Sequence, residues 1–394
     1  MDAKLQAWWS QRQRLDGSAE GMSARDVLEQ TGWARSVAGA SPYLALFARA
    51  GLRRTMVDRE LAKAAIHELP AARGCTYIVP ASQYGLALRV GQDFSAKTEV
   101  ATARKLGVTD AEVDKLKAAI LKALPKEPLD PDALRITVGS AARSLGPEGV
   151  KKGLATTLPL ALRLLRSAGE IRRLPVNGRI DQQRYKYAVW RPNPLAKWKL
   201  DMGASFTELA REYYRWIGAA SLAEFQWFSG LGVKASQAAV GPLKLVPLQG
   251  ELLALPEDRA TFEKFQIPKK PHYVLTGSLD NISHLRRATG SLLAPEDAEH
   301  ALTGKGAVLD LPSDLKSHAI LDRGRLVGLW HFDPETDSIA WISFVKRERA
   351  LEEAVKRTEA FVREDLGDAR TFSLDSPKSR IPQIAALRKA AGRG

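Results

Sequence analysis

Apolar residues that recur every three or four positions predict helices along most of the first two thirds of the chain. The N-terminal helices are expected at 3–14, 22–31, 41–50, 57–67 and 81–91. RGCTYIVP (73–80) is apolar and β-branched, which predicts a short strand that ends at Pro80. Further helices are expected near 97–106, 110–123 and 154–168, the last ending at Gly169, and at 205–218.

Hairpins follow these groups of helices. EIRRLPVNGRIDQQRYKYAVW (170–190) is typical of a hairpin with Asn177-Gly178 at its tip, and strands are expected near 243–247 and 251–255. The order of short helices and then a hairpin therefore occurs three times, ending near residues 80, 190 and 255. Winged helices are built in this order, so the pattern predicts tandem winged helix-turn-helix units.

The segment SLAEFQWFSGLGVKASQAAV (221–240) predicts a helix-turn-helix. Ser221 and Glu224 form an S-x-x-E capping box, and Gly230 ends the first helix. The expected inward positions are Leu222, Phe225, Phe228, Val233, Ala239 and Val240. Lys234, Ser236 and Gln237 are residue types that bind phosphates or base edges, although such a helix pair can also serve packing alone.

The predicted fold class is α+β, with tandem winged helix-turn-helix units and a C-terminal β-rich domain. Its units are expected at 1–92, 93–192, 201–256 and 257–394, with RPNPLAKWKL (191–200) as a linker. The last unit is expected to combine short strands between 317 and 345 with an amphipathic helix at 347–366. The final residues LRKAAGRG are expected to be frayed.

The charge of the chain favours a polyanionic partner. Lys and Arg number 59 against 45 acidic residues, giving a formal net charge of +14 and a pI near 9.8. Binding to nucleic acid would use this charge, although a generally basic composition is the alternative. A basic ribbon interleaved with Tyr185, Tyr187 and Trp190 is the main DNA-binding candidate, together with Arg73. Its candidate residues are Arg163, Arg166, Arg172, Arg173, Asn177, Arg179, Arg184 and Lys186.

Several other classes of protein are disfavoured. Cys75 is the single cysteine, and it lies in the apolar stretch 73–80, where an inert buried thiol is expected. The histidines at 67, 272, 284, 300, 318 and 331 have no metal-binding spacing, and no phosphate-binding glycine loop is present, so we expect neither a metal nor a cofactor. Without an apolar leader or a long apolar run, the chain is expected to be cytoplasmic, with no membrane partner.

Four segments together resemble the AlkZ/YcaQ family of winged-helix DNA glycosylases. They are SPYLALFARAG (41–51), ARGCTYIVPAS (72–82), YYRWIGAASLAEFQWFSGLGVKASQAAV (213–240) and HAILDRGRLVGLWHF (318–332). The resemblance implies a basic channel for duplex DNA, closed by a C-terminal β-rich domain. It also implies excision of alkylated or crosslinked purines without a metal. In the family, a Gln-x-Gln or Gln-x-Asp motif upstream of the PYLAL-like helix positions the attacking water.

This sequence departs from the family motif. The corresponding segment is QTGWARSVAGASPY (30–43), in which Gln30 is the only amide. An ungapped alignment places the motif at Arg35-Ser36-Val37, and a small gap places it at Trp33-Ala34-Arg35. Arg35 cannot act as a base at neutral pH but can bind a phosphate or position a group, and Trp33 can stack on a base or lie in the core. Both are candidate catalytic residues by position.

Three functions remain open at this point. The leading interpretation is a double-stranded DNA-binding protein that recognises damage and acts as a monofunctional glycosylase. The first alternative is a non-enzymatic DNA-binding or transcriptional regulatory protein of the same fold, and the second is a winged-helix scaffold for protein contacts. No heptad or dimer helix is evident, so a nucleoid-associated monomer is expected, bound to intact or damaged duplex DNA.

Overall fold

A three-stranded antiparallel sheet packs against the helices of the N-terminal part. The computed structural model describes residues 2–92, 94, 96–182, 184–286, 288–297 and 315–392. The N-terminal helices are α1 (Ala3–Arg12), α2 (Ala24–Thr31), α3 (Ser41–Ala50), α4 (Arg54–Ala62) and α5 (Tyr84–Gln92). The strands are β1 (Ala34–Arg35), β2 (Ile66–Pro70) and β3 (Thr76–Pro80), in the order β1-β3-β2.

The middle of the chain is helical up to a hairpin. Its helices are α6 (Lys97–Lys105), α7 (Asp110–Ala123), α8 (Pro131–Val138), α9 (Gly146–Lys151) and α10 (Leu158–Ser167). The hairpin pairs β4 (Ile171–Pro175) with β5 (Tyr185–Val189), which confirms the hairpin expected from the sequence. Asn177 and Gly178 lie in the loop between the two strands, and Gly178 has the positive φ of 76° that favours glycine.

The third group contains α11 (Met202–Ile217), α12 (Leu222–Ser229) and α13 (Val233–Val240), followed by β6 (Val246–Gln249) and β7 (Leu252–Ala254). The capping box is confirmed, because Glu224 N donates to Ser221 Oγ at 3.2 Å and Ser221 N donates to the Glu224 carboxylate at 2.6 Å. Gly230 ends α12 in the left-handed conformation. Phe225, Phe228 and Ala239 are buried, whereas Val233 is exposed rather than inward, because it lies in the first turn of α13.

The C-terminal part has a four-stranded antiparallel sheet in the order β11-β10-β9-β8. Its strands are β8 (Tyr273–Thr276), β9 (His318–Asp322), β10 (Arg325–Asp333) and β11 (Ser338–Ser343). The helices are α14 (Pro256–Lys264), α15 (Asn281–His284), α16 (Arg349–Phe361) and α17 (Pro377–Ala391). The mixture of helix and sheet in the predicted fold class is therefore confirmed.

The two ends of the chain share one hydrophobic core. Leu44 of α3 and Ile66 of β2 are buried in the same cluster as Ile320 of β9 and Trp330 of β10. A buried ion pair also joins these parts, because the Arg49 guanidinium donates to both oxygens of Asp280 at 2.7 and 2.8 Å. The N-terminal strands and the C-terminal sheet are consequently held in a fixed relation around the site described below.

Some local predictions were wrong. Residues 66–67 belong to β2 and not to a helix, because α4 ends at Ala62. The assignment of 191–200 as a linker stays a prediction, although this segment is packed, since a Cβ at Gly85 would come within 2.8 Å of the Trp198 ring. The end of the chain is helical up to Ala391 because Leu387 is buried against the C-terminal sheet, and residues 393–394 lie outside the described part. No helix among the described residues is long and apolar enough to span a membrane.

Candidate active site

The end of strand β1 opens onto a cavity. Backbone pairing with β3 holds this segment, because Ser36 N donates to Thr76 O at 3.0 Å. The cavity has a volume of about 410 Å³, within the roughly 300–1,000 Å³ typical of small-ligand sites. The β1 end and its following loop, β2, the turn before β3, the β4–β5 hairpin and segment 370–375 form the walls. The lining residues are Arg35, Ser36, Val37, Ala38, Glu68, Gly74, Cys75, Thr76, Arg173, Tyr185, Phe372 and Ser373.

A buried carboxylate, Glu68, lies in the wall of this cavity. It projects from β2, where its backbone is paired with Ile78 of the central strand. Ser36 Oγ donates to Glu68 Oε1 at 2.7 Å, and Tyr185 Oη donates to the same oxygen at 3.4 Å. Glu68 Oε2 accepts no hydrogen bond from the described residues. One carboxylate oxygen is therefore fixed by hydroxyls while the other keeps its acceptor capacity.

Arginines surround this carboxylate. Arg173 Nη1 lies 3.6 Å from Glu68 Oε2, and the Arg173 guanidinium stacks 4.8 Å from the centre of the Tyr185 ring. Arg166 of α10 is buried nearby, and burial, reinforced by the charge of Arg173, lowers its pKa to about 9, while Glu68 raises it. Burial and the charge of Glu68 raise the pKa of Tyr185, so this hydroxyl stays protonated and donates.

The two residues proposed by position take different places. Arg35 lines the cavity, where its Nη1 donates to Thr76 O at 2.6 Å and its guanidinium lies 5.4 Å from the Tyr77 ring centre. Trp33 is fully buried, and its Nε1 donates to Gln83 Oε1 at 2.6 Å. The centre of the Trp33 ring lies 5.4 Å from that of Trp216, so Trp33 is a core residue and not a stacking platform for a base.

The basic ribbon divides into an exposed and an internally bonded group. Arg184 and Lys186 are exposed on or next to β5. Arg173, Arg184 and Tyr185 also line a second cavity of about 570 Å³, which extends the candidate site along the hairpin through the shared residues Arg173 and Tyr185. Asn177 is exposed, and its Nδ2 donates to Gln182 Oε1 at 2.7 Å.

Two further arginines of this group, Arg179 and Arg163, have partners within the protein. Arg179 Nε donates to Asp181 Oδ1 at 2.9 Å, and Arg179 Nη2 donates to Leu366 O at 2.9 Å. Arg163 forms an ion pair with Glu99. Arg172 is half-buried and lines a separate cavity with Trp190.

The candidates of the helix-turn-helix are also split. Lys234 and Gln237 are exposed on α13, whereas Ser236 is buried. The Ser236 hydroxyl donates to Val233 O at 2.8 Å and accepts from Gln226 Nε2 at 3.0 Å, so it stabilises the helix pair. Arg73 stacks 3.9 Å above the Trp227 ring centre, which ties the turn before β3 to α12.

The sequence reasoning missed Glu68. It is distant from Arg35 and Ser36 along the chain, and the cavity forms only when β2 and β1 flank β3. The sequence offered one indication. Glu68 is a charged residue within the stretch IHELP (66–70), which pairs as a hairpin with the apolar strand β3. Among the described residues, no group of three or more His, Cys, Asp or Glu side chains is placed to hold a metal ion.

Comparisons with known proteins place the chain in a family. The family model described as DNA glycosylase AlkZ-like matches residues 6–369. Among solved structures, the chain is similar to Streptomyces sahachiroi DNA glycosylase AlkZ, with a TM-score of 0.67 and 19% sequence identity, covering 94% of this chain and 98% of that chain. No curated protein matches it in sequence. The match over nearly the whole chain confirms the resemblance seen in four segments: this protein belongs to the AlkZ-like DNA glycosylase family.

Proposed function

We propose that this protein binds duplex DNA and hydrolyses the N-glycosidic bond of an alkylated or crosslinked purine, with Glu68 as the catalytic carboxylate. The observation that carries the proposal is a buried glutamate, hydrogen-bonded to Ser36, in a cavity lined by Arg35 and Arg173. Ser36 occupies the middle of the segment aligned with the family's glutamine motif. Glu68 thus supplies an acidic group beside the place where the family motif is replaced.

The chemistry suits an oxocarbenium-like transition state. As the bond between C1′ and the base nitrogen breaks, its electron pair leaves with the cationic alkylated base, which becomes neutral. The sugar gains positive charge, and a nearby carboxylate stabilises it and orients the attacking water. The water oxygen bonds to C1′, and its proton passes to Glu68 and then to solvent. No general acid is needed, because the leaving base is already a good leaving group.

Each group around Glu68 has a defined part. The hydroxyls of Ser36 and Tyr185 hold the Glu68 carboxylate in place through Oε1. Arg173 faces the carboxylate and, with Arg35, attracts the phosphates that flank the damaged nucleotide. The target base must leave the duplex to reach a cavity of this size, so the proposal includes extrusion of the nucleotide.

The DNA-binding surface is proposed to follow the β4–β5 hairpin from the cavity to Arg184 and Lys186. Three winged-helix units at 1–92, 93–192 and 201–256, with the C-terminal unit 257–394, would frame this surface. Lys234 and Gln237 extend it on the third unit, whereas Ser236 is excluded by its burial. A monomer acting at the nucleoid fits this role.

The test is direct incubation of the protein with duplexes that contain an alkylated or crosslinked purine, scored for abasic sites. We expect release of the base and strand scission on later alkali treatment. Binding without any release would favour the second candidate, a non-enzymatic DNA-binding or regulatory protein. The observation that favours this candidate is Arg35-Ser36-Val37 in place of the family motif. Absence of salt-dependent DNA binding would contradict both and favour a scaffold.

A further inference from the structure

Two large apolar side chains stand exposed at the mouth of the candidate active site. Phe372 is 48% exposed and Leu374 is 93% exposed, so nearly the whole Leu374 side chain lies in water. Phe372 lines the cavity that contains Arg35 and Glu68. Phe372 and Leu374 both line a third cavity of about 540 Å³, next to Ser278, His331 and Arg380. Apolar side chains grouped in this way on a surface indicate a binding contact.

The segment that carries these side chains is anchored on its inner face. Thr371 is buried and its hydroxyl lies 3.1 Å from that of Ser278, whereas the flanking residue Phe372 points outward. Residues 372–375 form a turn, in which Asp375 N donates to Phe372 O at 3.1 Å. This turn leaves Phe372 and Leu374 exposed while Thr371 anchors it to the protein.

The same segment is tied to the loop after β1. Ala40 N donates to Arg370 O at 2.8 Å, and Ser373 N donates to Val37 O at 3.2 Å. The approach is so close that a Cβ at Gly39 would lie 2.2 Å from Thr371 O. The segment that carries the two apolar side chains is thereby tied to the loop that follows Arg35 and Ser36, and Phe372 lines the same cavity as these residues.

We propose that Phe372 and Leu374 form an apolar wedge that enters the base stack of duplex DNA and fills the space left by the extruded nucleotide. The proposal rests on the function proposed above. Base extrusion costs unstacking energy, which inserted apolar side chains offset in other DNA-binding proteins. Arg35 and Arg173 beside the wedge complement the phosphates on either side of such a gap, so a base stack fits this surface better than a protein partner.

The test compares the double variant Phe372→Ala/Leu374→Ala with wild type on a duplex that carries 2-aminopurine next to an alkylated purine. The fluorescence of 2-aminopurine rises when it is unstacked. The matched control is Ile136→Ala/Val150→Ala, which removes apolar side chains that are 79% and 63% exposed and that do not line these cavities. Melting curves should be unchanged for both variants, because the altered side chains are exposed.

We expect wild type and control to raise the fluorescence on binding, and the wedge variant to lose most of this rise. Its affinity for duplex DNA should stay within about threefold with the same salt dependence, because phosphate contacts provide most of the affinity. Leu374→Met, which keeps an apolar side chain, should retain the fluorescence rise. A full fluorescence rise with the wedge variant would overturn the proposal. A wedge variant that differs from wild type only in the self-association of the protein would overturn it as well. If wild type itself does not bind the duplex, the proposed function fails first, which is a distinct result.

Discussion

The most quantitative prediction concerns two exposed cations of the β4–β5 hairpin, Arg184 and Lys186. Neither side chain has an ion pair or hydrogen bond among the described residues, and both are exposed; Arg184 lines the second cavity, and Lys186 lies between its lining residues Tyr185 and Tyr187 in the chain. In the proposed complex each neutralises one phosphate and releases the counterions condensed on it. Arg184→Ala/Lys186→Ala should therefore lower the slope of log affinity against log salt by about 1.8.

This slope fixes the size of the effect on affinity. Between about 50 and 200 mM salt, the wild-type affinity should fall by about 12-fold more than that of the double variant. Fluorescence anisotropy with a labelled duplex at four or five salt concentrations measures both slopes. Stability should be nearly unchanged, because exposed side chains without partners contribute little to folding.

Arg179→Ala is the matched control in the same ribbon. The Arg179 guanidinium is bound by Asp181 and by Leu366 O, so it is occupied within the protein. This variant should keep the wild-type salt slope but lower the free energy of unfolding by about 1–3 kcal/mol. The reasoning is refuted if the double variant keeps the wild-type slope, or if Arg179→Ala changes the slope as much as the double variant does.

Two further predictions concern the core. Trp33→Ala should lower the free energy of unfolding by about 3–5 kcal/mol, because the Trp33 ring is fully buried against Trp216. Urea unfolding measures this change. A variant that keeps its stability yet loses activity would contradict the assignment of Trp33 to the core. Burial lowers the pKa of His67 to about 3, of His318 to about 4 and of His331 to about 3. Because an unfolded histidine gains its proton below about pH 6.5, stability should fall as the pH drops from there toward 4, by up to about 1.4 kcal/mol per pH unit for each histidine. Urea unfolding at a series of pH values should show a shallower dependence for His67→Gln, and an unchanged dependence would contradict the burial argument.

Local sequence patterns predicted the elements that are determined by local interactions. The capping box at Ser221 and the stop at Gly230 defined α12 because the groups that cap a helix lie within a few residues of its ends. The hairpin of β4 and β5 was likewise predicted from its turn residues. The family was predicted because four separate segments kept their order and spacing.

Elements that depend on distant contacts were missed. Strand β2 was assigned partly to a helix because its five residues show no clear period, and its pairing with β3 decides its conformation. The last residues, LRKAAGRG, were expected to be frayed because they end the chain. Helix α17 instead runs to Ala391, with Arg380 buried in an ion pair with Asp368 at 2.8 Å and Leu387 in the C-terminal core. Charge alone also could not separate Arg179, which is bonded within the protein, from Arg184, which is exposed.

The candidate site was predicted only in part for the same reason. Arg35 was placed by alignment to a motif, and it does line the cavity. Glu68 comes from another strand, and the segment with Phe372 comes from the far end of the chain. Such a site exists only in the folded chain, since residues from the N-terminal sheet, the middle hairpin and the C-terminal part meet around one cavity.

The most direct test of the central claim is the rate of abasic-site formation by Glu68→Gln under single-turnover conditions, on a duplex that contains an alkylated purine. Glutamine keeps the size of the side chain and can still accept the hydrogen bond from Ser36, so the fold and the affinity for DNA should be retained. Loss of the carboxylate charge should slow base release by about 10²–10³-fold, whereas the exposed control Glu127→Gln should keep the wild-type rate. A rate for Glu68→Gln within about threefold of wild type would contradict the assignment of Glu68 as the catalytic carboxylate.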